Sequence, residues 1–71
     1  MNSMSDLYLQ YEDCLRVQKG VIERNRRRLR RAMDRSDMTE VQRLNNVLRV
    51  LYEERSELEE RAKGLRDYLQ Q

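Results

Sequence analysis

The feature that most constrains the fold of this chain is a heptad pattern in its second half. Apolar residues recur there at alternating spacings of three and four, interrupted only by Arg55. The series comprises Val41, Leu44, Leu48, Leu51, Leu58, Ala62, Leu65 and Leu69. Such spacing places one apolar stripe along an α-helix and is typical of coiled coils and helical bundles. We therefore predict a long amphipathic helix over residues 38–70.

The composition favours helix along the rest of the chain as well. Ala, Glu, Lys, Leu and Arg supply 35 of the 71 residues, and Pro is absent. A share near one half with helical periodicity is typical of long helices. The one predicted break is at residues 34–40, where Ser36, Asp37 and Thr39 can cap a following helix. We predict helix 1 over residues 4–35, capped by Ser3 or Ser5, and a turn at residues 36–38.

Helix 1 has a broader apolar face than helix 2. One row in heptad spacing includes Leu7, Tyr11, Cys14, Gln18 and Val21, and a neighbouring row consists of Tyr8, Leu15, Ile22 and Leu29. A face two rows wide suits packing against more than one helix. The predicted fold is therefore all-α: residues 1–71 form a single domain, an antiparallel, coiled-coil-like two-helix hairpin that dimerises into a four-helix bundle. The alternative is one continuous helix through residue 37.

Folding the chain at residue 37 predicts which residues meet. The expected pairs are Leu7 with Leu65, Val21 with Leu51, and Leu29 with Leu44, with Leu51 at the centre. Cys14 is expected to be buried on this seam as a small hydrophobic residue. Gln18 and Arg55 fall in one layer; either they form a buried polar pair, or Arg55 extends its charge to water and Gln18 lies at the rim.

In a hairpin of this size much of each apolar stripe remains exposed to solvent, so we expect the hairpin to self-associate. The predicted self-association core is apolar and spans both helices: Leu7, Tyr11, Leu15, Val21, Ile22, Leu29, Leu44, Leu48, Leu51, Leu58 and Leu65.

The charges are segregated along the hairpin. Residues 24–49 hold nine arginines against three acids, a net charge of +6, and the remainder holds six bases against ten acids, a net charge of −4. The candidate contact residues for a partner or for phosphate are Arg24, Arg26, Arg27, Arg28, Arg30 and Arg31.

Three interpretations of this arginine run remain open: it contacts carboxylates of a partner, it binds nucleic-acid phosphate, or it is a solvated helix face. The tyrosines favour the first over the second. Tyr8, Tyr11 and Tyr68 fall at the acidic end and Tyr52 falls near the middle, so no aromatic residue is interleaved with the arginines to stack on bases.

Several functional classes are disfavoured by composition. The chain has no His, one Cys and two Gly, so we expect no catalytic site, metal or cofactor. No segment is apolar enough for a membrane span. The N-terminal residues do not resemble a signal peptide, and a single Cys cannot form an internal disulfide, so we expect a cytoplasmic protein.

These observations predict a small non-enzymatic interaction or structural module. The expected partner is a second copy of the chain, and another helical protein is also possible. The alternative function is a nucleic-acid-binding regulator that uses the arginine face of helix 1. A binder of anionic membrane surfaces is a third candidate, disfavoured because the basic stretch lacks bulky apolar anchors. No motif assigns the chain to a family.

Overall fold

In a computed structural model, which describes residues 3–71, the chain forms two α-helices packed against each other as a hairpin. Helix α1 is Met4–Asp34 and helix α2 is Met38–Leu69. The predicted all-α hairpin is confirmed, and the alternative of one continuous helix is wrong. Each helix begins at the expected residue and ends one residue before the expected one.

The start of α1 is stabilised by reciprocal hydrogen bonds between Ser3 and Asp6. The backbone N–H of Asp6 donates to Ser3 Oγ at 3.1 Å, and the backbone N–H of Ser3 donates to Asp6 Oδ2 at 3.3 Å. This capping box satisfies two N–H groups that an α-helix leaves free at its N-terminus. Ser3, rather than Ser5, is therefore the N-cap.

The turn between the helices is short because Asp37 takes part both in the end of α1 and in the start of α2. Ser36 has a left-handed φ of 55°. Its N–H donates to the Met33 carbonyl at 3.0 Å, and the Asp37 N–H donates to the Ala32 carbonyl at 2.9 Å. These two bonds form a Schellman motif. The Asp37 side chain then accepts from the Glu40 N–H at 3.2 Å and caps α2.

Replacing Ser36 by Gly is expected to stabilise the hairpin. A left-handed conformation is costly for a residue with a Cβ and costs Gly almost nothing, although Gly loses more entropy on folding. The net gain should be about 0.5–1 kcal/mol, or a few degrees in Tm. Thermal denaturation followed by circular dichroism at fixed protein concentration measures it. Ser36→Val is the control and should lower Tm; a lower Tm for Ser36→Gly would contradict the role of the turn.

The tightest packing lies near the turn. Ala32, Val41 and Leu44 form a buried cluster, and Leu29 packs against it. Leu44 is completely buried, whereas Leu51 is only half-buried. The expectation that the packing is centred on Leu51 is therefore wrong, because the most buried side chain is Leu44, near the turn. The short turn holds the helices together at this end, and the helix ends opposite the turn are more exposed.

The seam on α1 runs between the two predicted apolar rows rather than along one of them. Gln18, Ile22 and Ala32 are the buried residues of this helix. Ile22 belongs to one predicted row and Gln18 to the other, so α1 is rotated toward the second row. That rotation leaves Cys14 exposed. The prediction that Cys14 is buried is wrong for the hairpin on its own.

The predicted polar layer forms differently from either interpretation. Gln18 Nε2 donates to the Leu51 carbonyl at 3.3 Å and to Glu54 Oε2 at 3.5 Å. Arg55 Nε instead donates to Glu59 Oε1 on its own helix at 2.8 Å. Gln18 is therefore buried rather than at the rim, and it links the two helices without a bond to Arg55.

The hairpin is a rod of 51 × 18 × 15 Å. Its two helices present charged residues along most of their length. Among residues 3–71, neither helix is apolar enough over a sufficient length to cross a membrane.

Candidate functional site

Two grooves run between the helices, on opposite faces of the hairpin. The first, which we call the apolar groove, also contains the carboxylates of Asp13 and Glu54; its other lining residues are Cys14, Val17, Gln18, Val21, Leu51 and Leu58. The second, the basic groove, is lined by Arg26, Leu29, Arg30, Asn45, Leu48, Arg49 and Tyr52. Val21 and Arg26 are five positions apart, about 140° around α1, so the grooves lie on opposite sides of the seam.

The apolar groove interrupts the charged surface of the hairpin. Val17 is 69% exposed, and Cys14 is exposed beside it. Val21, Leu51 and Leu58 are half-buried, with one side against the seam and one side toward the groove. Apolar residues recurring at this helical spacing form a surface that fits the apolar face of another helix.

Gln18 adds an unsatisfied polar atom beside this groove. Its Oε1 is buried and accepts no hydrogen bond from residues 3–71. A buried acceptor without a donor costs about 1–3 kcal/mol. Because this oxygen is already covered by atoms of the hairpin, the cost falls on the hairpin itself.

The arginines of α1 differ from those elsewhere in their ion pairing. Within residues 3–71, the ion pairs are Arg16–Asp13, Arg43–Glu40, Arg49–Glu53, Arg55–Glu59 and Arg66–Asp67. None of the seven arginines between positions 24 and 35 is within 4.0 Å of a carboxylate in the described part of the chain. Within the described part of the hairpin, no ion pair therefore neutralises the positive charge of these arginines.

The structure divides the arginine run between the two faces. Arg26 and Arg30 line the basic groove. Arg28 and Arg35 lie toward the start of α2, where they act on Glu40. The pKa of Glu40 is lowered, mainly by its hydrogen bond from Arg43 and further by the charges of Arg43, Arg35 and Arg28, against an opposing effect of desolvation.

The other three arginines of the predicted set line neither groove. Arg27 and Arg31 are exposed on α1. Arg24 is also exposed, and its Nη1 lies 3.6 Å from the position that a Cβ on Gly20 would occupy. The six predicted contact residues therefore do not form one site.

The predicted self-association core is distributed over several environments. Ile22, Leu44 and Leu48 are buried within the hairpin, so their side chains are already covered. Val21, Leu51 and Leu58 line the apolar groove, and Leu29 and Leu48 line the basic groove. Leu15 lies on the same face as the basic groove, among charged residues. Tyr11 and Leu65 are half-buried, and Leu7 is exposed.

Sequence reasoning missed two residues that define the grooves. Val17 is not among the predicted residues, although it continues the spacing of Cys14 and Val21 on one side of α1. Tyr52 was placed away from the arginines, but the structure brings it into one groove with Arg26 and Arg30. The prediction that no aromatic residue is available beside the arginines is therefore wrong, because Tyr52 comes from the other helix.

Toward the helix ends opposite the turn, the face that carries the basic groove changes its charge. A shallow depression there is lined by both signs of charge: Glu12, Leu15, Arg16, Lys19, Arg55 and Glu59. The strongly basic part of this face is thus confined to the half of the hairpin nearer the turn.

In the described part of the chain, no three His, Cys, Asp or Glu side chains are arranged to hold a metal ion. No family model matches the chain. No curated protein matches it, and no solved structure matches it either.

Proposed function

We propose that this protein is a small non-enzymatic interaction module that self-associates by packing the apolar grooves of two copies together. The product is a homodimeric four-helix bundle. The observation that supports this proposal is the apolar groove itself. Val17 and Cys14 are exposed and add little to the packing between the two helices. They nevertheless continue the apolar surface formed by Val21, Leu51 and Leu58.

The surface area of the hairpin supports the same proposal. The accessible surface is 5735 Å². A compact monomer of this mass exposes about 4,700 Å². The excess of about 1,000 Å² is slightly more than the roughly 800 Å² that each partner buries in a standard protein–protein interface. A second copy over the apolar groove would therefore bring the surface per chain to that of a compact protein.

The charge distribution favours one orientation of the two copies. The half of the hairpin near the turn is basic, and the half away from it is acidic. If the turns lie at opposite ends of the dimer, Arg24 and Arg28 are level with Glu57 and Glu60 of the second copy. Attraction between these ends would orient the two hairpins, while the apolar grooves supply most of the free energy.

Sedimentation equilibrium of the wild type and of Val17→Asp tests self-association. The wild type is expected to have about twice the 8.7 kDa chain mass. An aspartate at position 17 would bury an unpaired carboxylate in the dimer, and its short side chain cannot reach water. Val17→Asp should therefore sediment as a monomer, and its helicity, unlike that of the dimeric wild type, should not depend on protein concentration.

Leu9→Asp is the matched control. Leu9 is 58% exposed on the same helix and lines neither groove. An aspartate at position 9 or at position 17 is four residues from Asp13, so both variants add the same unfavourable charge pair to α1. Leu9→Asp should remain a dimer. The proposal would be contradicted if Val17→Asp were a dimer. It would also be contradicted if the wild type stayed monomeric when its concentration was raised about 100-fold.

A nucleic-acid-binding regulator is the second candidate. The observation that favours it is the absence of ion pairs for the arginines between positions 24 and 35 within residues 3–71. Guanidinium groups that are not neutralised by the protein's own carboxylates are available to phosphate.

A further inference from the structure

We propose that the basic groove binds single-stranded nucleic acid. Arg26, Arg30 and Arg49 contact phosphates, and the ring of Tyr52 stacks on a base. This inference gives the second candidate function a specific site and ligand. It does not depend on self-association, because the apolar groove lies on the opposite face of the hairpin.

The first support is the concentration of positive charge. Arg26 and Arg30 are one helical turn apart on α1, and neither has a carboxylate within 4.0 Å in the described part of the chain. Arg49 approaches from α2 and pairs with Glu53 at 3.2 Å. Both side chains of that pair are more than 60% exposed, and such surface pairs contribute little, so phosphate can replace Glu53.

The second support is the exposed aromatic ring. Tyr52 is 44% exposed and lines the groove together with the two leucines at its base, Leu29 and Leu48. Single-strand binding proteins combine a basic groove with aromatic residues on which bases stack. The basic groove holds both components, and the amide of Asn45 adds hydrogen-bonding groups for a base edge.

The choice of a single strand follows from these same residues. Stacking on Tyr52 requires an unpaired base, which a regular duplex does not offer. An acidic peptide could pair with the arginines but would make no use of an exposed ring between them. The mixed charges around Glu12 and Glu59 also limit the basic surface to the half near the turn, so a short stretch of strand is the expected footprint.

Fluorescence anisotropy with a labelled oligo-U of about 12 nucleotides, within the range of known single-strand sites, tests the proposal. The site variant is Arg26→Gln/Arg30→Gln/Arg49→Gln. The control variant is Arg16→Gln/Arg61→Gln/Arg66→Gln, which lowers the net charge from +2 by the same three units. The two triple variants therefore differ in where the charge is removed and not in how much.

We expect the site variant to bind at least about 10-fold more weakly and the control variant to stay within about 3-fold of the wild type. The slope of log affinity against log salt should fall by about 2 in the site variant, since each single-strand phosphate contact contributes about 0.7. Equal losses in the two triple variants would overturn the proposal, because they would show attraction to net charge alone.

Substitutions of Tyr52 provide an independent test, because they leave the net charge of the protein unchanged. Tyr52→Leu is expected to weaken binding by about 5- to 150-fold, the range reported for loss of one stacked base, with an unchanged salt slope. Tyr52→Phe, which keeps an aromatic ring, should bind as tightly as the wild type. Unchanged affinity in Tyr52→Leu, equal affinity for duplex, or equally effective competition by poly-glutamate would each overturn the proposal. Circular dichroism and sedimentation of each variant are expected to match the wild type, because all the substituted positions are exposed.

Discussion

Leu44→Asp is expected to abolish the folded hairpin. Leu44 is completely buried in the cluster with Ala32 and Val41. The substitution removes a core leucine and buries an unpaired charge, each of which costs about 2–5 kcal/mol. That sum is comparable with the total stability of a domain this small.

Circular dichroism at 222 nm and amide dispersion in NMR spectra measure this effect. Leu51→Asp is the informative comparison, because Leu51 is half-buried and lines the apolar groove. It should weaken self-association more than it weakens the hairpin. If Leu44→Asp remained fully helical with the Tm of the wild type, the packing near the turn would be wrong.

A Val21→Cys variant in a Cys14→Ser background is expected to form an inter-chain disulfide almost quantitatively under mild oxidation, whereas the wild type is expected to remain uncross-linked. In a dimer with its turns at opposite ends, residue 20 of α1 lies near the mid-plane. The two Val21 positions are then about two residues apart along the axis, or roughly 3 Å. The two Cys14 residues are about 12 residues apart, roughly 18 Å, and a disulfide needs a Cα separation below about 7 Å.

Non-reducing electrophoresis after oxidation separates the two orientations. Rapid linkage of Cys14 in the wild type would place the turns at the same end of the dimer, because each residue is then level with its own copy. Because Cys14 is exposed in the hairpin, a lack of wild-type linkage cannot be attributed to burial of the thiol within its own chain. A large excess of denaturant should make the linkage pattern of both proteins the same.

The two helices could be predicted from the sequence because the interactions that form them are local. The capping serine, the 3–4 spacing of apolar residues and the absence of Pro act over a few neighbouring positions. The same is true of Asp37, whose side chain caps α2 three residues away. Only the choice between Ser3 and Ser5 required the observed hydrogen bonds.

The rotation of α1 about its own axis could not be predicted in this way. Its apolar face is two rows wide, and both rows are compatible with helix formation. The packing of Ala32 and Leu29 against Val41 and Leu44 fixes which side faces α2. As a result, Cys14 is directed away from the core, and the seam passes through Gln18 and Ile22.

The candidate sites show the same division. The sequence by itself determined the two helices, the position of the break between them, and the basic and acidic halves of the rod, because each depends on residues close in the chain. Only the tertiary structure decided that Val17 borders an uncovered apolar groove, and that Tyr52 joins Arg26 and Arg30 on the other face. The physical reason is that a groove is formed by two helices: the lining residues of one helix are at least 15 positions in the chain from those of the other, and their meeting depends on how the helices are rotated against each other.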